Sequence, residues 1–196
     1  MAFSKYPLTS ITVYCSSSSA VDKAFFDIAE QLGEKMAELK LTLIYGGANV
    51  GLMGKIAHTV KENGGKVIGV MPPVISEKGI TNPDLDELIK AADMRERKRI
   101  MAEMGDAFIA LPGGFGTLEE IVEVLTEKQL QIHNKPIVFL NINGCFDALF
   151  QQFNYFVENR FAKPVSLEFY YNASSVKDAF EYLLNYQGKD YGLKWF

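Results

Sequence analysis

"DAFIALPGGFGTLEEIVEVLTEKQLQIHNKPIVFL", residues 106–140, runs from an apolar stretch through a glycine loop and a helical pattern into a second apolar stretch. "AFIAL" (107–111) and "PIVFL" (136–140) read as strands, and the segment between the loop and about Ile132 reads as a helix. Both apolar runs are continuous rather than alternating, the pattern of strands covered on both faces. Two such strands joined through a helix make a parallel crossover unit.

The same succession extends in both directions. Upstream lie a strand "ITVYC" (11–15) and a helix over 20–40 that sets Phe25, Ile28, Ala29, Leu32, Met36 and Leu39 on one face. Strand "LTLIY" (41–45) follows, then a glycine loop and a helix from about Leu52 to Asn63. Strand "KVIGVM" (66–71) is ended by Pro72 and Pro73; residues 74–92 are less regular, with "ELIKAA" a short strand. A helix covers roughly 94–104. Downstream, a helix over 146–159, a weak strand near "FYYNA" and a helix from Ser175 complete the chain. This alternation predicts a Rossmann-like, doubly wound parallel sheet with helices on both faces. With no internal repeat, linker or low-complexity segment, residues 1–196 are expected to form a single domain, with a less regular tail from about 187.

Composition excludes several classes. A chain of 196 residues with 48% hydrophobic and 22% charged residues can bury a full core. Its net charge of −4, without a basic stripe, gives no case for nucleic acid. Cys15 and Cys145 are far apart and lack a CxxC spacing, so neither a metal site nor a disulfide framework is indicated. No apolar run is long enough to span a bilayer, and the N-terminus lacks the pattern of a signal peptide. The expectation is a cytoplasmic protein.

In open parallel sheets ligands bind beyond the carboxyl ends of the strands. Two glycine loops fall there: "YGGANVGLMG" (45–54) and "PGGFGT" (112–117), with a small-residue turn "CSSSS" (15–19) as a third. Glycine admits close backbone approach, and the free N–H groups of a helix start favour a phosphate. Neither loop is a standard nucleotide fingerprint. Gly46 and Gly51 match the outer glycines of GxGxxG, but Ala48 replaces the middle one and "VIGVMPP" supplies no ribose-binding acid, which disfavours NAD. Leu52 stands where a P-loop needs lysine. Each loop alone also reads as a tight turn; together they favour a phosphate ligand.

Glu120 carries two readings. "TLEE" fits a capping box with Thr117 as N-cap and Glu120 reaching back, and acids in a first turn suit the helix dipole. Arg97 supplies the other. In "MRERKRIMAEM" (94–104), Met94, Ile100, Met101 and Met104 form one stripe, Arg97 falls within it, and Arg95 and Arg99 point away. An inward guanidinium needs a carboxylate or an anion, and Glu120 or a bound phosphate would serve. His58 and His133 have no partners at ligand spacing and read as surface or helix-end residues. Ser16 to Ser19 lack a nucleophile-elbow context, and no lysine is marked as a Schiff-base residue.

"YGGANVGLMG", "DMRERKRIM" and "PGGFGTLEE", in this order and spacing, resemble the LONELY GUY (LOG) family, cytokinin riboside 5′-monophosphate phosphoribohydrolases long labelled lysine decarboxylases. The likeness includes "NINGCFDALF" (141–150) and fades in the last ten or so residues. It implies a Rossmann-like homodimer that cleaves the N-glycosidic bond of AMP or N6-modified AMP without a metal or redox cofactor. By resemblance, Arg97 and Glu120 match the catalytic pair, and Gly113, Gly114, Gly116 and Thr117 the nucleotide-binding loop. Gly46, Gly47, Gly51, Met94 and Lys98 are assigned with them to the substrate. Glu120 would stabilise an oxocarbenium-like ribose or orient water, and Arg97 would hold it ionised, since a cation lowers a carboxylate pKa. A non-catalytic carrier of a nucleotide-like or molybdenum cofactor on the same fold is the alternative.

Overall fold

Seven strands and seven helices alternate along the described part of the chain, residues 8–192 of the computed structural model. The N-terminal residues read above for a leader, 1–7, and the last four of the tail lie outside the described residues. The strands are β1 (Ser10–Tyr14), β2 (Thr42–Tyr45), β3 (Val67–Met71), β4 (Glu87–Lys90), β5 (Ala107–Ala110), β6 (Ile137–Leu140) and β7 (Tyr171–Ala173). The helices are α1 (Lys23–Glu38), α2 (Gly51–Glu62), a single turn α3 (Pro73–Ser76), α4 (Met94–Met104), α5 (Phe115–Gln129), α6 (Asp147–Glu158) and α7 (Val176–Leu184). Short 3-10 segments cover Ile142–Gly144 and Pro164–Glu168.

The strands form one parallel sheet in the order β4-β3-β2-β1-β5-β6-β7. The continuous apolar runs have the expected cause, because alternate side chains enter two cores. Ile11, Val13, Ile109 and Val138 face α1, α2 and α7, whose Leu32, Met36, Ile56, Val60 and Phe180 close that side. Tyr14, Phe108, Ala110 and Phe139 face α4, α5 and α6, where Met101, Ile121, Val124 and Phe146 pack. The edge strand β4 is the exception, with Glu87 and Lys90 exposed, a charge pattern that discourages further pairing.

The order places the site. From β1 the sheet grows outward through β2, β3 and β4, then the chain returns and β5 pairs with the other side of β1. The reversal lies between β1 and β5, where the crevice at the strand ends opens. Tyr14 is in register with Ala110, so the turns after both strands emerge side by side. The Ser16 N–H donates to Pro112 O at 3.2 Å across that junction.

Candidate active site

Arg97 is delivered by a well-anchored helix. The Asp93 carboxylate accepts from the Arg95 and Glu96 N–H groups at 2.8 and 2.9 Å, and the Ala92 N–H donates back to Glu96 at 2.6 Å. This reciprocal cap fixes the start of α4 over β3. Arg97 follows one turn later and is 5% exposed. Its Nε donates to Val70 O at 3.1 Å and its Nη1 to Glu120 Oε1 at 2.6 Å. The two groups that the sequence placed on separate helices therefore form one largely buried ion pair. Met94, by contrast, departs from the apolar stripe: it is 40% exposed and, with Val74, lines a depression of about 680 Å³ at the start of α4.

The capping-box reading of Thr117 and Glu120 is overturned. Helix α5 begins at Phe115 with Gly114 as N-cap, so Thr117 already lies inside the helix and Glu120 in its second turn. Thr117 is 3% exposed, and a Cβ added to Gly113 would stand 2.1 Å from its Oγ1. That hydroxyl is thus packed into the loop, while Glu120 is engaged by Arg97. The helix start has neither a side-chain cap nor an acidic residue in its first turn. Added Cβ atoms on Gly114 and Gly116 would meet nothing within 4 Å. An open, uncapped N-terminus with its dipole offers an anion site, and the carboxylates stand beyond it.

The first glycine loop is different. Gly46, Gly47 and Gly51 are all buried. A side chain on Gly51 would meet the Ser17 carbonyl carbon at 2.5 Å, and its φ of +55° favours glycine. A Cβ on Gly47 would meet Met71 Cε at 3.2 Å. The serine turn ties the loops together: Ser16 O accepts from the Leu52 N–H at 3.0 Å, and Ser16 Oγ accepts from the Ser18 N–H. This loop forms the wall of the site, and the second loop presents backbone to its opening.

Lys98 turns to the other side of α4. Its ammonium pairs with Glu119 and with Glu123, the latter at 3.1 Å, bridging α4 to successive turns of α5. His58 pairs with Glu62 on the surface. His133 is more enclosed than expected: it packs on Phe108, bonds Val124 O at 2.9 Å, and burial brings its pKa down to about 4. Neither histidine meets the Arg97–Glu120 pair.

Electrostatics correct one expectation. Burial raises the Glu120 pKa above the ordinary carboxylate value, and the charge and hydrogen bond of Arg97 offset this only in part. The phenol of Tyr14 at the end of β1 is also pushed up, by burial first and the Glu120 charge second. Sequence reasoning missed Tyr14 and Val70. It also missed Cys145, whose thiol is raised by burial and lowered by the Gly113 N–H. No local signal marks these residues, because each reaches the site through a different strand end.

The chain is similar to several known proteins. A family profile described as "Possible lysine decarboxylase" matches residues 53–183. The cytokinin riboside 5′-monophosphate phosphoribohydrolase LOG5 of Arabidopsis thaliana is 40% identical over 177 residues, 90% of this chain and 78% of that one. A probable enzyme of the same description from rice, LOGL9, is 43% identical over 154 residues, 79% and 68% of the two chains. Among solved structures, the molybdenum cofactor binding protein of Rippkaea orientalis superposes with a TM-score of 0.68 at 26% identity, covering 89% of this chain and 94% of that one. The molybdenum cofactor carrier protein of Chlamydomonas reinhardtii, 22% identical, covers 89% and 95% with a TM-score of 0.68, a likeness of fold alone.

Proposed function

The chain belongs to the LOG family of phosphoribohydrolases, and from that premise we propose that it hydrolyses the N-glycosidic bond of AMP or of N6-modified AMP. The products are the free base and ribose 5-phosphate. The buried 2.6 Å pair of Arg97 and Glu120, one helical turn from an uncapped glycine-lined helix start, carries the reading. Phosphate on the first N–H groups of α5 would bring the ribose toward that pair. As the C1′–N bond breaks, C1′ becomes cationic, and the Glu120 carboxylate stabilises it and orients the attacking water. The water oxygen joins C1′ and its proton leaves with the base. Phosphate binding contributes although no bond to phosphorus breaks, because remote contacts position the reacting centre.

The test is incubation with AMP and with isopentenyl-AMP, followed by chromatography of the base and assay of ribose 5-phosphate. Glu120→Gln should lower kcat by roughly a thousand-fold, in the range for removing one transition-state electrostatic partner. Its fold and AMP binding should persist. Normal turnover by that variant would remove Glu120 from the chemistry. The carrier reading draws on the molybdenum-cofactor proteins above and predicts tight binding without product. The Arg97–Glu120 pair favours the enzyme, because a carrier needs no carboxylate held beside its ligand.

The same premise supports a homodimer. Phe115, Phe156 and Phe161 are 93%, 37% and 74% exposed, and Leu118 is exposed along α5. Light scattering on the purified protein should give twice the 21.9 kDa chain mass. A cytoplasmic location is read from the sequence; none of the described helices is long and apolar enough to cross a membrane.

A further inference from the structure

We propose that Gly46 is a positioning residue for the Arg97–Glu120 pair, because the space a side chain would occupy there is filled by Arg97 Nη2. A Cβ on Gly46 would stand 2.1 Å from Nη2 and 3.3 Å from Cζ. The backbone at Gly46 is not among the positive-φ glycines, so alanine is excluded by the guanidinium and not by conformation. The inference rests on the hydrolase reading only where it concerns turnover.

The guanidinium has no freedom to step aside. Its planar fork is held on one edge by Nε to Val70 O and on another by Nη1 to Glu120. Two fixed nitrogens determine the third. The other close atom, Met53 Cε at 2.6 Å, is the free end of a flexible chain and can rotate away. A methyl group at position 46 therefore acts on Arg97, and it must turn the fork until one or both bonds break. Nη2 has no hydrogen-bond acceptor among the described residues and is held by its packing against the Gly46 backbone. Gly46 thus serves the site through its missing side chain. Its backbone is buried, whereas Gly114 and Gly116 lie open.

Glu120 reports on this arrangement. The charged groups that act on it are Arg97 and Lys98 from α4 and Glu119 on its own helix, while its own charge raises the facing Tyr14 and Cys15 at the end of β1. Displacing Arg97 removes the strongest of the cations, so the Glu120 carboxyl should titrate at higher pH in Gly46→Ala than in the natural chain.

Three measurements test the proposal. With AMP, Gly46→Ala should lose about a hundred-fold in kcat while Kd stays within about three-fold, as expected for a misplaced reacting group. A rise in KM or Kd at unchanged kcat would instead make Gly46 part of the phosphate cradle and overturn the inference. Carboxyl 13C NMR should show the upward titration shift; an unmoved Glu120 also overturns it. In a double-mutant cycle, the melting-temperature loss from Gly46→Ala should vanish in an Arg97→Ala background. If Gly46→Ala fails to fold, the double variant should fold, and its failure would sink the idea. Should the natural chain release no base from AMP, the hydrolase reading falls, while the NMR titration and the cycle still decide the seat of Arg97.

Discussion

Glu120 is a carboxylate kept in a place that disfavours its charge. Burial raises its pKa and Arg97 returns part of the shift. The proposed chemistry needs the ionised form, so kcat/KM for AMP should fall as pH drops through a pKa above the ordinary glutamate value of about 4.3. Arg97→Ala removes the larger part of the offset and leaves burial opposed only by the weaker charge of Lys98. Its acidic limb should therefore move to higher pH, and its residual activity should grow toward alkaline pH. A pH–rate profile with an unmoved limb would show that Arg97 does not act through Glu120. That Arg97 needs a partner was legible in the sequence, since it falls on the apolar face of "MRERKRIMAEM" and a buried cation demands one; Glu120 and a bound phosphate both fitted, and the structure pairs it with Glu120. The sign of the net shift was not legible, because it depends on how completely β1 and the helices enclose the carboxyl.

At the scale of elements, the strands and most helices could be read from the sequence because their apolar runs fill two cores. The weak "ELIKAA" strand proved to be β4, whose exposed charges belong to an edge. The start of α5 was misread by the capping pattern. Phe115 and Gly116 carry no capping side chain, so local chemistry pointed to Thr117; the helix in fact starts after Gly114, with Thr117 buried inside its first turn. The short helix Pro73–Ser76 and the 3-10 segments escaped notice because one turn leaves no periodic signal. The seating of Thr117 has a consequence. A Cβ at Gly113 would meet Thr117 Oγ1 at 2.1 Å and the Ser16 N at 3.1 Å, one on α5 and one on the turn after β1. Gly113→Ala should therefore distort the junction that presents the helix start. AMP at a hundred times its Kd should stabilise the natural chain by about 2.7 kcal/mol, seen as a raised melting temperature, and most of this should be lost in the variant. An undiminished AMP-induced shift would place the phosphate elsewhere.

Across the whole molecule, the end of α5 is tied to the C-terminal segment by a buried amine. Lys128 is 1% exposed and has no carboxylate within salt-bridge reach among the described residues. Its Nζ donates to Lys135 O and Tyr186 Oη, each at 3.0 Å, and lies over the rings of Tyr186 and Tyr191. Burial, with Lys189 nearby, brings its pKa down to about 7. Such a lysine takes up a proton on unfolding throughout the interval between about 7 and its unfolded value near 10.4. Protons then favour the unfolded chain, so this group's contribution to stability rises with pH across that interval and is flat below it. Lys128→Met keeps the length and apolar stem but removes the titration. Its melting temperature should exceed that of the natural chain at pH 7, with the difference closing toward pH 10. Met leaves the Lys135 carbonyl without its donor, which trims the gain without adding any slope. Melting curves that run parallel between pH 7 and 10 would show that Lys128 keeps its proton in the folded protein.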